Sequence, residues 1–180
     1  MTMRPNVRKF VRTAHVIFTV GWLGAVAAFL ALAITGLTSP DIQMVRAVYL
    51  AMDLITRFVI VPLSLLPLLL TGPLLSLGTP WGLFRHYWIL VKLVINILST
   101  LILLIHLQPI RYMARVAADG TLSSADRGAQ IQLVVAAGAG LVALLVATGL
   151  AVYKPRGMTA YGWRKQYAER TESPDVDILT

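Results

Sequence analysis

Four long apolar runs limit what this chain of 180 residues can fold into. They cover Ala14–Thr35, Phe58–Leu77, Tyr87–Leu107 and Leu133–Tyr153, and only the third contains a charged residue, Lys92. About 20 apolar residues are needed for a helix to cross the hydrocarbon core of a bilayer. Because lipid cannot satisfy backbone hydrogen bonds, such runs must be helical. We therefore predict an all-α fold, a polytopic membrane protein with a bundle of four transmembrane helices.

The composition supports lipid as the solvent of this chain. Hydrophobic residues make up 57% of it and charged residues 13%, whereas about a quarter of a soluble domain is charged. The absence of cysteine excludes disulfides, thiolate nucleophiles and cysteine-ligated metal. The net charge is +8, and the basic residues crowd at the ends of the apolar runs. This pattern favours the lipid bilayer as a partner and indicates no binding of nucleic acid.

The predicted domain organisation is simple. Residues 1–155 form the transmembrane domain, with spans at about 14–35, 54–77, 86–107 and 131–153, and residues 156–180 form a polar, disordered cytoplasmic tail. Ser39 is expected to cap the second helix. The basic start of the first run imitates a cleaved signal peptide, but its apolar stretch is longer than the core of about 7–15 residues that signals contain. We therefore expect this run to be kept as a span.

Lysine and arginine residues predict the orientation. Ten of them flank the runs on the side of the two termini, and four lie on the other side: Arg46, Arg111, Arg115 and Arg127. The side richer in positive residues is usually cytoplasmic. We therefore expect a multi-pass protein of the plasma membrane with its N-terminus and C-terminus in the cytoplasm.

Three of the runs carry a polar stripe, whereas the fourth carries small residues. At 100° per residue, one face collects the polar residues of each helix. These are His15, Thr19 and Trp22 on the first, Asp53, Arg57, Ser64 and Thr71 on the second, and Lys92, Asn96, Ser99 and His106 on the third. The fourth has a row at Ala139, Ala143, Ala147 and Ala151, which favours packing inside the bundle, with a homodimer or partner-protein face as the alternative. A partly polar interior is predicted.

Two residues of the cytoplasmic half are the best candidates for binding a cofactor. Lys92 either extends to the headgroups or faces the bundle and pairs with a carboxylate of a bound ligand. His15 is either an interfacial polar residue or a ligand of a metal or of haem iron, with Lys92 or Arg85 pairing with haem propionates. His106 cannot share that haem, because it lies 20 residues, or about 30 Å, beyond His86. A pair of His15 with His86 stays open.

At the outer edge, Asp53 and Arg57 are spaced for a structural ion pair, with a proton or ion relay through His106 as the alternative. The sequence contains no GxSxG, Walker, HExxH or GxGxxG motif. We therefore expect no active site of a type found in soluble enzymes.

The first three runs also resemble a known family. His15 is followed by Trp22 and Gly24 as H-x6-W-x-G, Thr71-Gly72 lies in the second run, and WGLF at 81–84 precedes WILVKL at 88–93. This pattern resembles an uncharacterised bacterial family of predicted integral membrane proteins and, more remotely, copper-resistance-D-like domains and HemJ-type protoporphyrinogen oxidases. The resemblance implies a functional role for His15 and Lys92, with Trp22 beside them, and it implies handling of haem or a metal.

Three functions are therefore weighed. The first is a membrane protein without its own enzymatic activity that binds haem b or a metal through His15 and Lys92. The second is a membrane oxidoreductase of the HemJ type that passes electrons from haem to quinone. The third is a structural or accessory subunit that contacts a partner through the Ala139–Ala151 face.

Overall fold

The fold class predicted from the sequence is confirmed by a computed structural model, which describes residues 4–72, 74, 86–153 and 157–171. Four helices in this part of the chain are long and apolar enough to cross a membrane. They are α1 (Pro5–Thr38), α2 (Ile42–Thr71), α3 (Tyr87–Asp119) and α4 (Arg127–Tyr153), followed by a shorter helix, α5 (Ala160–Thr171). The chain thus has the architecture of a multi-pass membrane protein.

The four long helices form an antiparallel ring. Each packs mainly against its neighbours in the sequence, and α4 closes the ring by packing against α1. One end of the bundle, called here the loop end, holds the connections at residues 39–41 and 120–123. The opposite end, where α1 begins and α4 ends, is called the terminal end.

Polar side chains and one glycine fix the connections at the loop end. Asp41 caps α2 by accepting a hydrogen bond from the Gln43 N–H (2.9 Å), so this helix begins after Asp41 and its cap is not Ser39. Gly120 ends α3 at φ 68°, a left-handed conformation that suits glycine. Ser123 and Asp126 then form a reciprocal capping box in front of α4.

Two widened turns interrupt α2. Residues Thr56–Ile60 and Pro67–Thr71 are π-helical, and each segment lies close to a proline, Pro62 or Pro67. Proline lacks an N–H and its ring crowds the carbonyl four residues earlier. The first widened turn contains Phe58, whose carbonyl the Pro62 ring would crowd, and such turns are frequent at functional sites.

The apolar core is concentrated in the loop half. Its largest fully buried side chains are those of Tyr49, Met52, Met113 and Leu133. Gly36 lets α1 approach α2 there, because a Cβ at this position would lie 2.9 Å from the Tyr49 ring. In contrast, α3 has no fully buried residue between positions 87 and 99. The terminal half is therefore packed more loosely than the loop half.

The tail differs in part from the disordered segment expected at 156–180. Residues Ala160–Thr171 form α5, and Thr159 caps it by accepting a hydrogen bond from the Gly162 N–H (3.1 Å). Just before this helix, Met158 forms an antiparallel bridge with His86. The tail thus returns to the first residues of α3. The backbone bridge and the Thr159 cap are local contacts that composition does not reveal.

The small-residue row of α4 does not lie on a single face. Ala139 is exposed, Ala143 and Ala151 are half-buried, and Ala147 is buried. A spacing of four residues advances 400° around a helix, so each step turns the row by about 40°. The row therefore passes from the lipid-facing surface into the bundle.

Candidate functional site

A hydrogen bond between two helices marks the terminal half of the bundle. Nδ1 of His15 on α1 lies 2.8 Å from Oγ1 of Thr71 in the second π turn of α2. His15 is half-buried, whereas Thr71 is buried. When the hydroxyl accepts the proton of Nδ1, the lone pair of the His15 Nε2 atom is free to bind a ligand.

Lys92 of α3 joins this pair. It is half-buried, and its positive charge is within electrostatic range of the imidazole ring of His15. Among the described residues, the ion pair within 4.0 Å is that of Asp53 and Arg57. No described carboxylate therefore lies that close to the ammonium group of Lys92. The Lys92 ammonium group thus has no acidic partner in the described part of the chain. It lies in the layer that contains His15 and Thr71.

A second polar layer lies deeper in the bundle. Trp22 is seven residues from His15, and Ser64 is seven residues from Thr71. Thr100 is eight residues from Lys92, so all three lie about 10–12 Å further along their helices. All three are buried. Gly21 supports the alignment of α1 with α2, because its Cβ would lie 3.3 Å from the Leu63 side chain.

Two polar atoms of the deeper layer lack a hydrogen-bond partner among the described residues. They are the Trp22 indole nitrogen and the Thr100 hydroxyl oxygen. Ser64, in contrast, donates to the Val61 carbonyl in its own helix (2.9 Å). Buried polar atoms are usually paired, so the free indole N–H and hydroxyl are suited to a ligand that enters from the layer of His15.

The other candidate residues have different positions. Arg85 lies outside the described residues. His86 precedes α3, with its ring centre 6.4 Å from that of Trp88. His106 is far from His15 on α3, and its Nδ1 lies 2.8 Å from the Ile102 carbonyl oxygen of the same helix. The structure therefore joins His15 to Thr71 by a hydrogen bond, places Lys92 within electrostatic range of His15, and leaves His106 with a local backbone contact.

Asp53 and Arg57 form an ion pair in the loop half. The Arg57 Nη2 lies 2.7 Å from Asp53 Oδ2, and its Nε donates to Oδ1 at 2.8 Å. The Arg57 side chain is 43% exposed. Only its arginine end is exposed, because the Asp53 side chain is mostly covered, and the pair does not belong to the polar layers of the terminal half.

The donor set fits a haem better than a bare metal ion. The described residues contain no group of three or more histidine, cysteine, aspartate or glutamate side chains that could hold a metal ion. A haem iron needs one protein nitrogen, and a ligating histidine usually has its other nitrogen held by a hydrogen bond. His15 meets this condition through Thr71. Lys92 could pair with a propionate, so the residues present fit this group.

Thr100 is the residue of this region that sequence reasoning missed. At 100° per residue, Ser99 lies about 20° from Lys92 and Thr100 about 80° from it, so the pattern favoured Ser99. In the structure Thr100 is buried and Ser99 is half-buried. The inward face of α3 therefore turns toward Thr100, and the spacing of four residues from Asn96 was the signal that could have identified it.

Comparison with known proteins adds no function to this geometry. The chain matches no family model, no curated protein and no solved structure. The resemblance noted from the sequence therefore stays a prediction, and the candidate site rests on its own residues.

Proposed function

We propose that this protein is a plasma-membrane protein without independent enzymatic activity that binds haem b in the terminal half of its bundle. His15 would bind the haem iron through Nε2. The single observation that carries the proposal is the bond of 2.8 Å between His15 Nδ1 and Thr71, which occupies Nδ1 and leaves Nε2 as the nitrogen available to bind iron. Bound haem would supply an iron centre that can be oxidised and reduced.

Lys92 supplies the second recognition element. A lysine within a transmembrane helix is costly unless it pairs or reaches water. Because no described carboxylate pairs with it, an anionic ligand group is the natural counter-ion. We assign Lys92 to one propionate, with Trp22 and Thr100 contacting the part of the ligand that lies deeper.

The proposal includes an orientation. With both termini in the cytoplasm, the His15 layer lies on the cytoplasmic side of the membrane. The chain has no cysteine, so single cysteines at Ser39 and Ser124 can be tested with an impermeant thiol reagent in intact cells. Labelling without permeabilisation is expected at both positions, and labelling only after permeabilisation would reverse the orientation.

The proposed function is tested by the absorption spectrum of the full chain, expressed with ample haem and purified in detergent. A Soret band that shifts on reduction with dithionite, with sharpened α and β bands, is expected. His15→Ala should remove the band, and His106→Ala is the matched control because its ring lies far from the site. A featureless spectrum at full protein recovery, or equal bands in both variants, would refute the assignment.

One observation favours a second candidate, an accessory subunit. A Cβ at Gly138 or Gly140 of α4 would meet no atom within 4 Å, so the backbone is open to close approach by another helix. Co-purification with a membrane protein that is lost in Gly138→Leu, while the monomer stays folded, would support this candidate. A colourless monomer in both forms would leave neither function standing.

A further inference from the structure

A groove between α2 and α3 in the loop half is lined by three arginines. It has a volume of about 430 Å³ and is lined by Arg57, Arg111 and Arg115, by Asp53, and by the small side chains of Ala114 and Ala118. Asp53 is its single acidic residue and is already bound by Arg57. Two arginine charges are therefore left without a carboxylate in the groove.

The hydrogen-bonding state of these arginines points to a missing acceptor. Arg111 Nε is buried and has no hydrogen-bond partner among the described residues. Arg115 Nε makes one long contact, of 3.5 Å, with the Arg111 carbonyl oxygen. An unpaired buried guanidinium nitrogen is unfavourable, and a planar guanidinium matches the oxygens of a phosphate.

The groove lies at the opposite membrane boundary from the candidate haem site. Arg111 is 19 residues from Lys92 along α3, or about 28 Å at 1.5 Å per residue. This distance is close to the thickness of a hydrocarbon core, about 30 Å. If Lys92 lies near one layer of headgroups, the groove therefore opens near the other.

Apolar side chains continue from the groove toward the middle of the membrane. Leu50 lines the groove, and Leu54 and Phe58 follow at successive turns of α2 toward the terminal end. Leu54 and Phe58 are 57% and 73% exposed. A molecule whose phosphate lies between the arginines could thus place an acyl chain along this strip.

We propose that the groove binds the headgroup phosphate of an anionic phospholipid. Arg111 and Arg115 contact the phosphate, and Arg57 contributes while it remains paired with Asp53. Ala114 and Ala118 leave the space that the headgroup occupies, because a larger side chain at either position would project into the groove. This site is independent of haem binding.

The test uses native mass spectrometry of the full chain in detergent, with phosphatidylglycerol, phosphatidylcholine or inorganic phosphate added. One phosphatidylglycerol should be retained per chain, phosphatidylcholine should not be retained, and millimolar phosphate should not displace the bound lipid. The single variants Arg111→Gln and Arg115→Gln should each lower the retention of phosphatidylglycerol about fivefold. Arg46→Gln is the control, since Arg46 is an exposed arginine of the same half that does not line the groove.

Two further comparisons keep the proposal falsifiable if Arg111→Gln fails to fold. Arg115 is exposed, so its variant tests the charge with little risk to the core. Ala118→Leu keeps every charge and fills the groove, and it should lower retention as much as Arg115→Gln does. Equal retention of the two lipids would overturn the proposal, as would equal losses in Arg46→Gln and Arg115→Gln. Binding of inorganic phosphate without any lipid would show that the groove recognises a free phosphate and not a phospholipid.

Discussion

The two halves of the bundle use their polar and apolar residues in opposite ways. In the loop half, large apolar side chains fill most of the interior, and charged groups serve local contacts, as Asp53 does with Arg57 and Asp126 does in the capping box. In the terminal half, His15, Thr71 and Lys92 come together between the helices. A tightly packed half can hold the fold, which leaves the other half free to hold a ligand.

The difference has a physical cause in the side chains that meet between the helices. Lipid is as apolar as leucine, so packing and hydrogen bonds decide how helices associate in a membrane. Gly36 and the side chains of Tyr49, Met52 and Met113 provide close packing in the loop half. The first turns of α3 have no fully buried residue, so their polar groups remain accessible to a bound molecule.

Removing a core side chain should give the largest effect and would break the comparison most directly. Met113 is fully buried on α3, whereas Leu93 of the same helix is half-buried in the terminal half. We expect Met113→Ala to lower the free energy of unfolding by about 2 kcal/mol or more, because a cavity remains. Leu93→Ala should cost about 1 kcal/mol or less, and equal losses in denaturation by SDS would contradict the comparison.

Adding a methyl group should give the next largest effect. Gly36→Ala places a Cβ 2.9 Å from the Tyr49 ring, which forces a shift that costs roughly 1–3 kcal/mol. Gly24→Ala is the matched control on α1, because a Cβ there meets no atom within 4 Å. We expect the thermal midpoint to fall for the first variant alone. A similar fall in both variants would show that the loss comes from the helix itself.

The sequence predicts the large features of this fold and some local ones. The apolar runs identify the four membrane helices, because the length and polarity needed to cross lipid are strict. The helix end at Gly120 and the cap at Ser123 are features of this local kind, since their chemistry depends on neighbours in the chain. Asp41 replaces Ser39 as the cap because Ser39 still belongs to the end of α1, where its N–H donates to the Thr35 carbonyl oxygen.

The candidate site is predictable only in part. Periodicity places His15 and Lys92 on inward faces, but it contains no information on which residue of a neighbouring helix lies opposite. The bond between His15 and Thr71 depends on the packing of α1 and α2 and on a π turn beside Pro67. Thr100 is missed for a related reason, since an ideal angle of 100° per residue cannot describe the rotation of α3 within the bundle.

Removing the hydrogen bond of the terminal half should affect ligand binding more than stability. Thr71→Val keeps the shape and deletes the hydroxyl that contacts His15. We expect the free energy of unfolding to fall by about 0.6 kcal/mol, because one interhelical hydrogen bond is lost. Haem affinity should fall by about 10–100-fold, because the imidazole is no longer oriented. Thr19→Val is the control, since its hydroxyl donates to the His15 carbonyl oxygen within α1. Haem titration that gives equal affinities for the two variants would remove Thr71 from the site.

The smallest effect is expected where charged residues pair at the surface of the loop half. A double-mutant cycle of Asp53→Asn and Arg57→Gln should give a coupling energy of about 0.2–1 kcal/mol, because the Arg57 side chain is 43% exposed and water screens the pair. The coupling should shrink further in 1 M salt, where charges are screened beyond about 3 Å. A coupling energy of several kcal/mol that salt does not change would mean that the pair is enclosed by lipid or protein. The loop half would then depend on an enclosed ion pair as well as on its apolar packing, which would weaken the contrast between the two halves.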